Sequence, residues 1–183
     1  MNRPLFVLIG ITLLCLGAAC HNPSNREDSN MTVPEGDPPF PPLGKFWVID
    51  HERLISDSVI KMSDQLCERL KTDNIAEVVV VVMKGVRQPE MWATHYGRWL
   101  GLGKTGPSTE GGNRGLVWLI RPDANLKLTI SVGRGLPDFT SADYVPMMMR
   151  AAEYFNFGNY DKGVLTLMKD TDSVLRRIYG GEK

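Results

Sequence analysis

The sequence predicts an α/β fold, a three-layer α/β/α sandwich with a short central sheet and helices on both faces. Three observations support this class. Apolar residues recur at helical spacing in four segments, five consecutive valines occupy positions 78–82, and an alternating hairpin covers about 115–132. Because the helical segments come before, between and after the strands, a sheet covered on both sides is the architecture that buries every apolar face.

The first half of the domain contains two helical segments around one strand. Ser56 suits the N-cap of a helix over residues 57–71, and Pro89 suits the first turn of a second helix that ends at Gly101. The apolar stripe of the first is Val59, Met62, Leu66 and Leu70, and that of the second is Trp92, Tyr96, Trp99 and Leu100. The five valines predict a central strand covered on both faces, since a surface strand would alternate with polar residues.

The hairpin consists of two alternating strands joined by a Pro-Asp-Ala-Asn turn at 122–125. Its alternating apolar residues are Leu116, Trp118 and Ile120, then Leu126, Leu128, Ile130 and Val132. Gly133 and Gly135 follow, bracketing Arg134 where the chain leaves the sheet. Glycine at such a corner allows either a positive φ or a close approach to a neighbouring segment.

Two further helices complete the domain. Thr140 with Asp143 three residues later resembles a capping box, and the helix that it opens runs through Phe155, with Pro146 restricting its first turns. The last helix is predicted over residues 161–179.

The N-terminal region predicts export and attachment to a membrane. Residues 1–20 combine Arg3, an apolar run of about fifteen residues and Gly-Ala-Ala before Cys20, as in a bacterial lipoprotein signal peptide. Acylation of Cys20 is expected, with ordinary cleavage after Ala19 as the alternative. Residues 21–45 are polar and proline-rich, which predicts a disordered tether. Residues 46–183, about 140 residues, form one domain.

Several classes of site are excluded by composition and context. The 21 acidic and 21 basic residues balance, so nucleic acid is not an expected partner. The Gly-x-Gly-x-x-Gly run at 101–106 follows a helix instead of a strand, so no nucleotide is expected. Three scattered histidines do not suit zinc, Cys67 lies on an apolar helix face as an inert thiol, and no nucleophile with a base is apparent; catalytic residues remain unassigned.

Three motifs in register resemble the TPM domain family, which includes thylakoid lumen, photosystem II repair and acetylcholine-receptor modulator proteins. The family pattern is Asn-x-Gly before a strand, Val-Gly-x-Gly-Leu-Glu after the next, and a later Phe-x-x-Gly-x-Tyr-x-x-Gly. The corresponding segments here are Asn113-Arg-Gly115, Val132-Gly-Arg-Gly-Leu136 and Phe155-Asn-Phe-Gly-Asn-Tyr-Asp-Lys-Gly163. The resemblance extends from about Phe46 to the C-terminus and implies the same sandwich.

Oxygen ligands are the remaining candidates for chemistry. The residues at loops or element ends that could supply them are Asp50, Glu110, Asn113, Asp138 and Asp143. Carboxylate and amide oxygens suit a hard cation such as calcium or magnesium, which some family members are reported to bind. Pro137 replaces the family's usual Glu, so the acidic residue of that motif is either Asp138 or Asp143.

Two functions are compatible with these expectations. The first is a non-catalytic accessory module, tethered to the membrane and facing the periplasm or exterior, that supports membrane proteins or their assembly and repair. The second is a metal-dependent weak acid phosphatase, in which Asp138 and its neighbours hold the cation. The tether and the lack of a catalytic constellation favour the first.

Overall fold

The computed structural model describes residues 31–103 and 113–181. The predicted signal peptide with Cys20, and Glu110 of the predicted cation ligands, lie outside these residues. Within them the strands are β1 (Val48–Asp50), β2 (Glu77–Val82), β3 (Gly115–Ile120) and β4 (Leu128–Val132). The helices are α1 (Asp57–Thr72), α2 (Pro89–Trp99), α3 (Ser141–Asn156) and α4 (Tyr160–Tyr179). No helix of this part of the chain is long and apolar enough to cross a membrane.

The four strands form one mixed sheet in the order β1-β2-β3-β4. The first three are parallel, with Val48 opposite Val80 and Val82 opposite Ile120. The last pair is antiparallel, with Leu116 opposite Val132. The start of β3 and the end of β4 therefore lie at one edge of the sheet, and the C-terminal ends of β1, β2 and β3 lie at the other.

Helices cover both faces, which confirms the predicted α/β/α sandwich. The indole Nε1 of Trp118 donates to Thr171 Oγ1 of α4 at 3.2 Å, so this residue points to the face covered by α4, which in turn packs on α1 and α3. Successive strand residues alternate between faces, so Val117 points the other way, towards α2. On that side α2 lies over β3 and β4.

The apolar core agrees with the predicted stripes except at three residues. All five valines of β2 are fully buried, as expected for a central strand. Met62, Trp99 and Leu126, all predicted to face the core, are 42%, 45% and 64% exposed. Met62 lies at the margin of the α1 stripe, where helical spacing alone does not decide burial, and Leu126 precedes the first residue of β4.

Residues 31–43, which we call the N-terminal strap, pack against α2 and differ in this from the predicted tether. The side chains of Trp92 and Tyr96 donate hydrogen bonds to the carbonyls of Pro38 and Pro41, both at 2.9 Å. The Phe40 ring lies between 5.2 and 5.8 Å from the rings of Trp92, Tyr96 and Trp99. Proline carbonyls still accept hydrogen bonds, so an extended proline-rich segment can dock on a surface that offers indole and phenol donors.

The strap also supplies apolar side chains and a helix cap. Its partly buried apolar residues, packed on the core, are Val33, Phe40 and Leu43. The carboxylate of Asp37 accepts from the backbone N–H groups of Arg87 (2.6 Å) and Gln88 (3.2 Å), just before α2 begins. A negative charge at this end of a helix is favourable, because the unpaired N–H groups and the helix dipole are both positive there.

Candidate functional site

A cavity of about 340 Å³ opens at the sheet edge where β3 begins and β4 ends. It lies on the face of the sheet covered by α2. Its lining residues are Thr94, Gly97, Arg98, Leu102, Asn113, Gly115, Val117, Ser131, Val132, Gly133 and Arg134. Both motifs of the hairpin, Asn-x-Gly and Gly-Arg-Gly, therefore contribute to its wall.

The glycine corner of the hairpin builds this wall by close backbone approach. Gly133 N–H donates to the Gly115 carbonyl at 2.8 Å, and Gly135 N–H donates to the Asn113 carbonyl at 3.0 Å. A Cβ atom on Gly133 would overlap the Asn113 carbonyl oxygen and lie 2.6 Å from Asn113 Oδ1. Neither Gly133 nor Gly135 has a positive φ, so of the two predicted reasons for glycine here, close approach is the one that applies.

Asn113 holds the other side of this corner in an unusual backbone conformation. Its φ is 149°, a region that side-chain-bearing residues rarely adopt. Its Oδ1 accepts a hydrogen bond from the backbone N–H of Gly115 at 3.1 Å. The short local ring explains why an asparagine tolerates the position, because Asn side chains can bond their own backbone two residues on.

The chemistry of the cavity is cationic at the rim and apolar at the floor. Arg98 and Arg134 form no ion pair or side-chain hydrogen bond with any residue in the described ranges. The hydroxyls of Thr94 and Ser131 are hydrogen-bonded to each other at 3.0 Å. The floor is formed by apolar side chains, of which Val117 is 2% exposed. No carboxylate, imidazole or thiol is among the described residues that line it.

Asp50, one of the predicted cation ligands, lies apart from Asn113, another of them. Asp50 lies at the opposite edge of the sheet from Asn113, and its carboxylate accepts from the backbone N–H groups of Glu52 (3.2 Å) and Ile55 (2.6 Å). It therefore shapes the turn that leads into α1. In residues 31–103 and 113–181 there is no group of three or more Asp, Glu, His or Cys side chains that could hold a metal ion.

Asp138 and Asp143 lie near the beginning of α3. Asp138 has an exposed side chain, and its backbone N–H donates to the hydroxyl of Tyr179 at 3.0 Å. The two oxygens of Asp143 are engaged by the backbone N–H of Thr140 at 3.1 Å and by the guanidinium of Arg177 at 2.8 Å. Asp143 is thus a helix-capping residue, as the capping pattern predicted. A cation at Asp138 and Asn113 stays a prediction.

The sequence contained an unused signal for the cavity. On α2, Thr94, Gly97 and Arg98 fall on the helix side opposite to the aromatic stripe, a polar face that reads equally well as solvated surface. On β4, Ser131 is opposite Val117 in the strand register and so shares the α2 face. Only the register and the placement of α2 show that these faces meet.

Cys67 is separate from this site. It is a free thiol, buried in the core on α1, and burial raises its pKa because the thiolate would lose its hydration. This agrees with the predicted inert thiol.

Comparison with known proteins gives the family and the fold. Three solved structures are similar: an N-terminal domain from P. gingivalis (TM-score 0.62, 19% identity, 73% of this chain and 84% of that one), the N-terminal domain of the cg2496 protein from Corynebacterium glutamicum (0.53, 18%, 79% and 88%), and the BA42 protein from the psychrophilic bacterium Bizionia argentinensis (0.52, 14%, 69% and 85%). At these identities the likeness shows the fold alone. No curated protein matches the chain. The TPM domain model matches residues 48–174, from β1 into α4, and the chain therefore belongs to the TPM domain family.

Proposed function

We propose that this chain is an exported lipoprotein, acylated at Cys20, whose TPM domain is a non-catalytic accessory module that binds membrane proteins or their components. The observation that supports this proposal is the chemistry of the cavity. Its described lining offers positive charge, hydroxyls and apolar surface, which are suited to holding a ligand. Hydrolysis would require a base or a metal-bound water within reach of the bound group.

The hydroxyls of the cavity illustrate the point. Ser131 or Thr94 would have to lose its proton to act as a nucleophile, and such activation needs an adjacent imidazole, carboxylate, amine or metal. In the structure these two hydroxyls have each other as partners at 3.0 Å. A guanidinium group has no acceptor and is not deprotonated in proteins, so the arginines of the cavity do not supply a base.

The metal-dependent phosphatase remains a second candidate because two guanidinium groups with no carboxylate partner in the described part of the chain suit a phosphate ester. Calcium or magnesium would be held by Asp138 and Asn113. The test is the hydrolysis of an aryl phosphate by the purified mature chain with and without each cation, comparing wild type, Asp138→Asn and the exposed control Glu153→Gln. The proposal of a binding module predicts no turnover in any of the three. Cation-dependent turnover that Asp138→Asn abolishes and Glu153→Gln retains would replace it with the phosphatase.

The lipid anchor has its own test. Wild-type protein is expected in the membrane fraction, and Cys20→Ser is expected in the soluble fraction of the envelope. Mass spectrometry of the mature N-terminus should find an acylated cysteine. An unmodified Cys20 at the N-terminus, in soluble protein, would show that the leader is an ordinary signal peptide cleaved after Ala19.

Contact with membrane proteins can be mapped from the cavity. A photocrosslinking residue placed at position 134, on the rim, is compared with the same residue at position 61. Lys61 is exposed on α1, in the helical layer on the other side of the sheet. We expect crosslinks to a membrane protein from position 134 and none from position 61. Equal crosslinking from both positions would mean that the cavity is not the site of contact.

A further inference from the structure

We infer that the cavity binds an organic anion with a compact apolar body, with its oxyanion at Arg98 and Arg134 and its carbon portion on the floor. This inference names the ligand class for the site proposed above and rests on that proposal. Three features of the cavity carry it: unpaired charge, a volume larger than an inorganic ion needs, and a wall in which apolar and polar groups are separated.

The charge of the cavity is positive, and none of its described lining residues carries a negative charge. Arg98 is half-buried on α2 and Arg134 is exposed at the glycine corner, so the two guanidinium groups approach the cavity from different elements. Arginines away from the cavity do have carboxylate partners. Arg150, for example, forms an ion pair with Asp170 at 2.9 Å. Because a guanidinium offers several donors in one plane, two of them can hold the oxygens of one carboxylate or phosphate.

The volume of the cavity favours a ligand with a carbon body. About 340 Å³ lies within the range of roughly 300–1,000 Å³ that small-molecule sites occupy. Inorganic phosphate or acetate would fill only a fraction of this volume and leave the rest of the cavity to water. Carbon atoms of such a ligand would pack against the floor side chains Leu102 and Val117 in place of water.

The remaining polar groups can orient the ligand. Two hydroxyls that share one hydrogen bond, as those of Thr94 and Ser131 do, have one further proton to donate. Asn113 uses its Oδ1 for Gly115, and its amide NH₂ has no partner among the described residues. These side-chain donors, together with the two guanidinium groups, suit an anionic ligand.

The test is a titration of the isotopically labelled mature chain carrying Cys20→Ser, monitored by the amide signals of Gly115 and Gly133. The probes are pentanoate, pentyl phosphate, pentanol and inorganic phosphate. At least one of the two five-carbon anions should bind about tenfold more tightly than pentanol and than inorganic phosphate, a difference that two charge-assisted contacts readily supply. The preference between pentanoate and pentyl phosphate identifies whether the natural oxyanion is a carboxylate or a phosphate.

Charge-neutral variants complete the test. Arg98→Gln with Arg134→Gln should weaken binding of the preferred anion by about tenfold or more, whereas Lys61→Gln, which removes one charge beneath the opposite face, should change it by less than about twofold. Retained spectra away from the cavity show that the variants fold. Equal affinity for pentanol and the anions, equal losses in both variants, or no saturable shift at about 20 mM would overturn the inference. Crosslinking from position 134 without anion binding would leave the accessory function standing with another ligand.

Discussion

The two faces of the sheet are closed in different ways. On one face, α1, α3 and α4 pack together, and the buried indole of Trp118 donates a hydrogen bond to Thr171 Oγ1 at 3.2 Å. On the other face a short helix of 11 residues, α2, is supplemented by the extended strap, and a cavity of about 340 Å³ remains beside it. The helical face consists of close-packed side chains, whereas the α2 face combines packing, hydrogen bonds to an irregular segment and open space.

The difference separates stability from binding. Close-packed helices bury the most apolar area for each residue that is ordered, so mutations there change the free energy of unfolding most. A face that is covered by one helix and a strap can leave room for a ligand while keeping the sheet dry elsewhere. We therefore expect the helical face to dominate stability and the α2 face to dominate recognition.

The largest expected effect concerns the helical face. Phe155 is 1% exposed and its ring stacks on Tyr160 at 5.5 Å, whereas Phe157, two residues later, is 89% exposed. Phe155→Ala should lower the free energy of unfolding by about 3–5 kcal/mol. Phe157→Ala is the matched control and should change it by less than about 0.5 kcal/mol. Urea denaturation measures both, and similar values for the two would contradict the assignment of this face as the stability core.

The next effect concerns the glycine corner on the cavity side. Gly133→Ala should cost about 1–3 kcal/mol, because the added methyl group meets the backbone of Asn113 and the strands must separate. Gly44→Ala, whose new methyl group meets no atom within 4 Å, is the control and should leave stability equal or raise it by less than about 1 kcal/mol. Thermal melting distinguishes them. A neutral Gly133→Ala would mean that the corner is looser than the hydrogen-bond distances indicate.

A smaller effect is expected from the strap. Phe40→Ala removes a half-buried ring that contacts three aromatic rings of α2, and should cost about 1–2 kcal/mol. Limited proteolysis within residues 31–43 should become faster at the same time. The control is Leu126→Ala, which truncates a residue that is 64% exposed. Proteolysis of the strap at the same rate in wild type and Phe40→Ala would show that the aromatic cluster does not hold it.

The smallest effect belongs to neither face, but to the edge opposite the cavity. The ammonium group of Lys84 lies 2.9 Å from a carboxylate oxygen of Glu52. Its hydrogen bond and positive charge lower the pKa of the Glu52 carboxyl. A lowered folded-state pKa contributes stability that is present above the ordinary value near 4.5 and is lost as the pH falls through the folded value. Glu52→Gln should therefore lose slightly less stability than wild type between pH 6 and about 3. Glu153→Gln should follow wild type, and a steeper acid loss in Glu52→Gln would reverse the sign of this interaction.

Most of the fold could be predicted from the sequence because its elements have strong periodic signals. Each pattern predicts both the type of element and the face that it buries, as in the valines of β2, the hairpin and the four amphipathic helices. The motifs of the hairpin indicate the family. Burial at the margin of a stripe could not be predicted, as Met62 shows, since helical spacing does not say how wide the covered face is.

The strap and the cavity could not be predicted for a different reason. Proline-rich composition predicts an extended segment and does not say whether that segment has a surface to bind; the apolar residues Val33, Phe40 and Leu43 were the available signal. The cavity joins residues about 40 positions apart, from Thr94 to Arg134, through strand register and helix placement. The five predicted cation ligands came from loop position and family resemblance, which do not fix distances between side chains.

If Cys20 is acylated, as we propose, the docked strap limits how far the domain can lie from that lipid. Because residues 31–43 are held on α2, only the ten residues 21–30 connect Cys20 to the strap. Ten residues can span no more than about 36 Å, even when fully extended. A free segment through residue 45 would have permitted about 90 Å. Under the proposed anchoring, the domain stays close to the bilayer surface. It can then reach only those water-exposed parts of membrane proteins that lie near the bilayer.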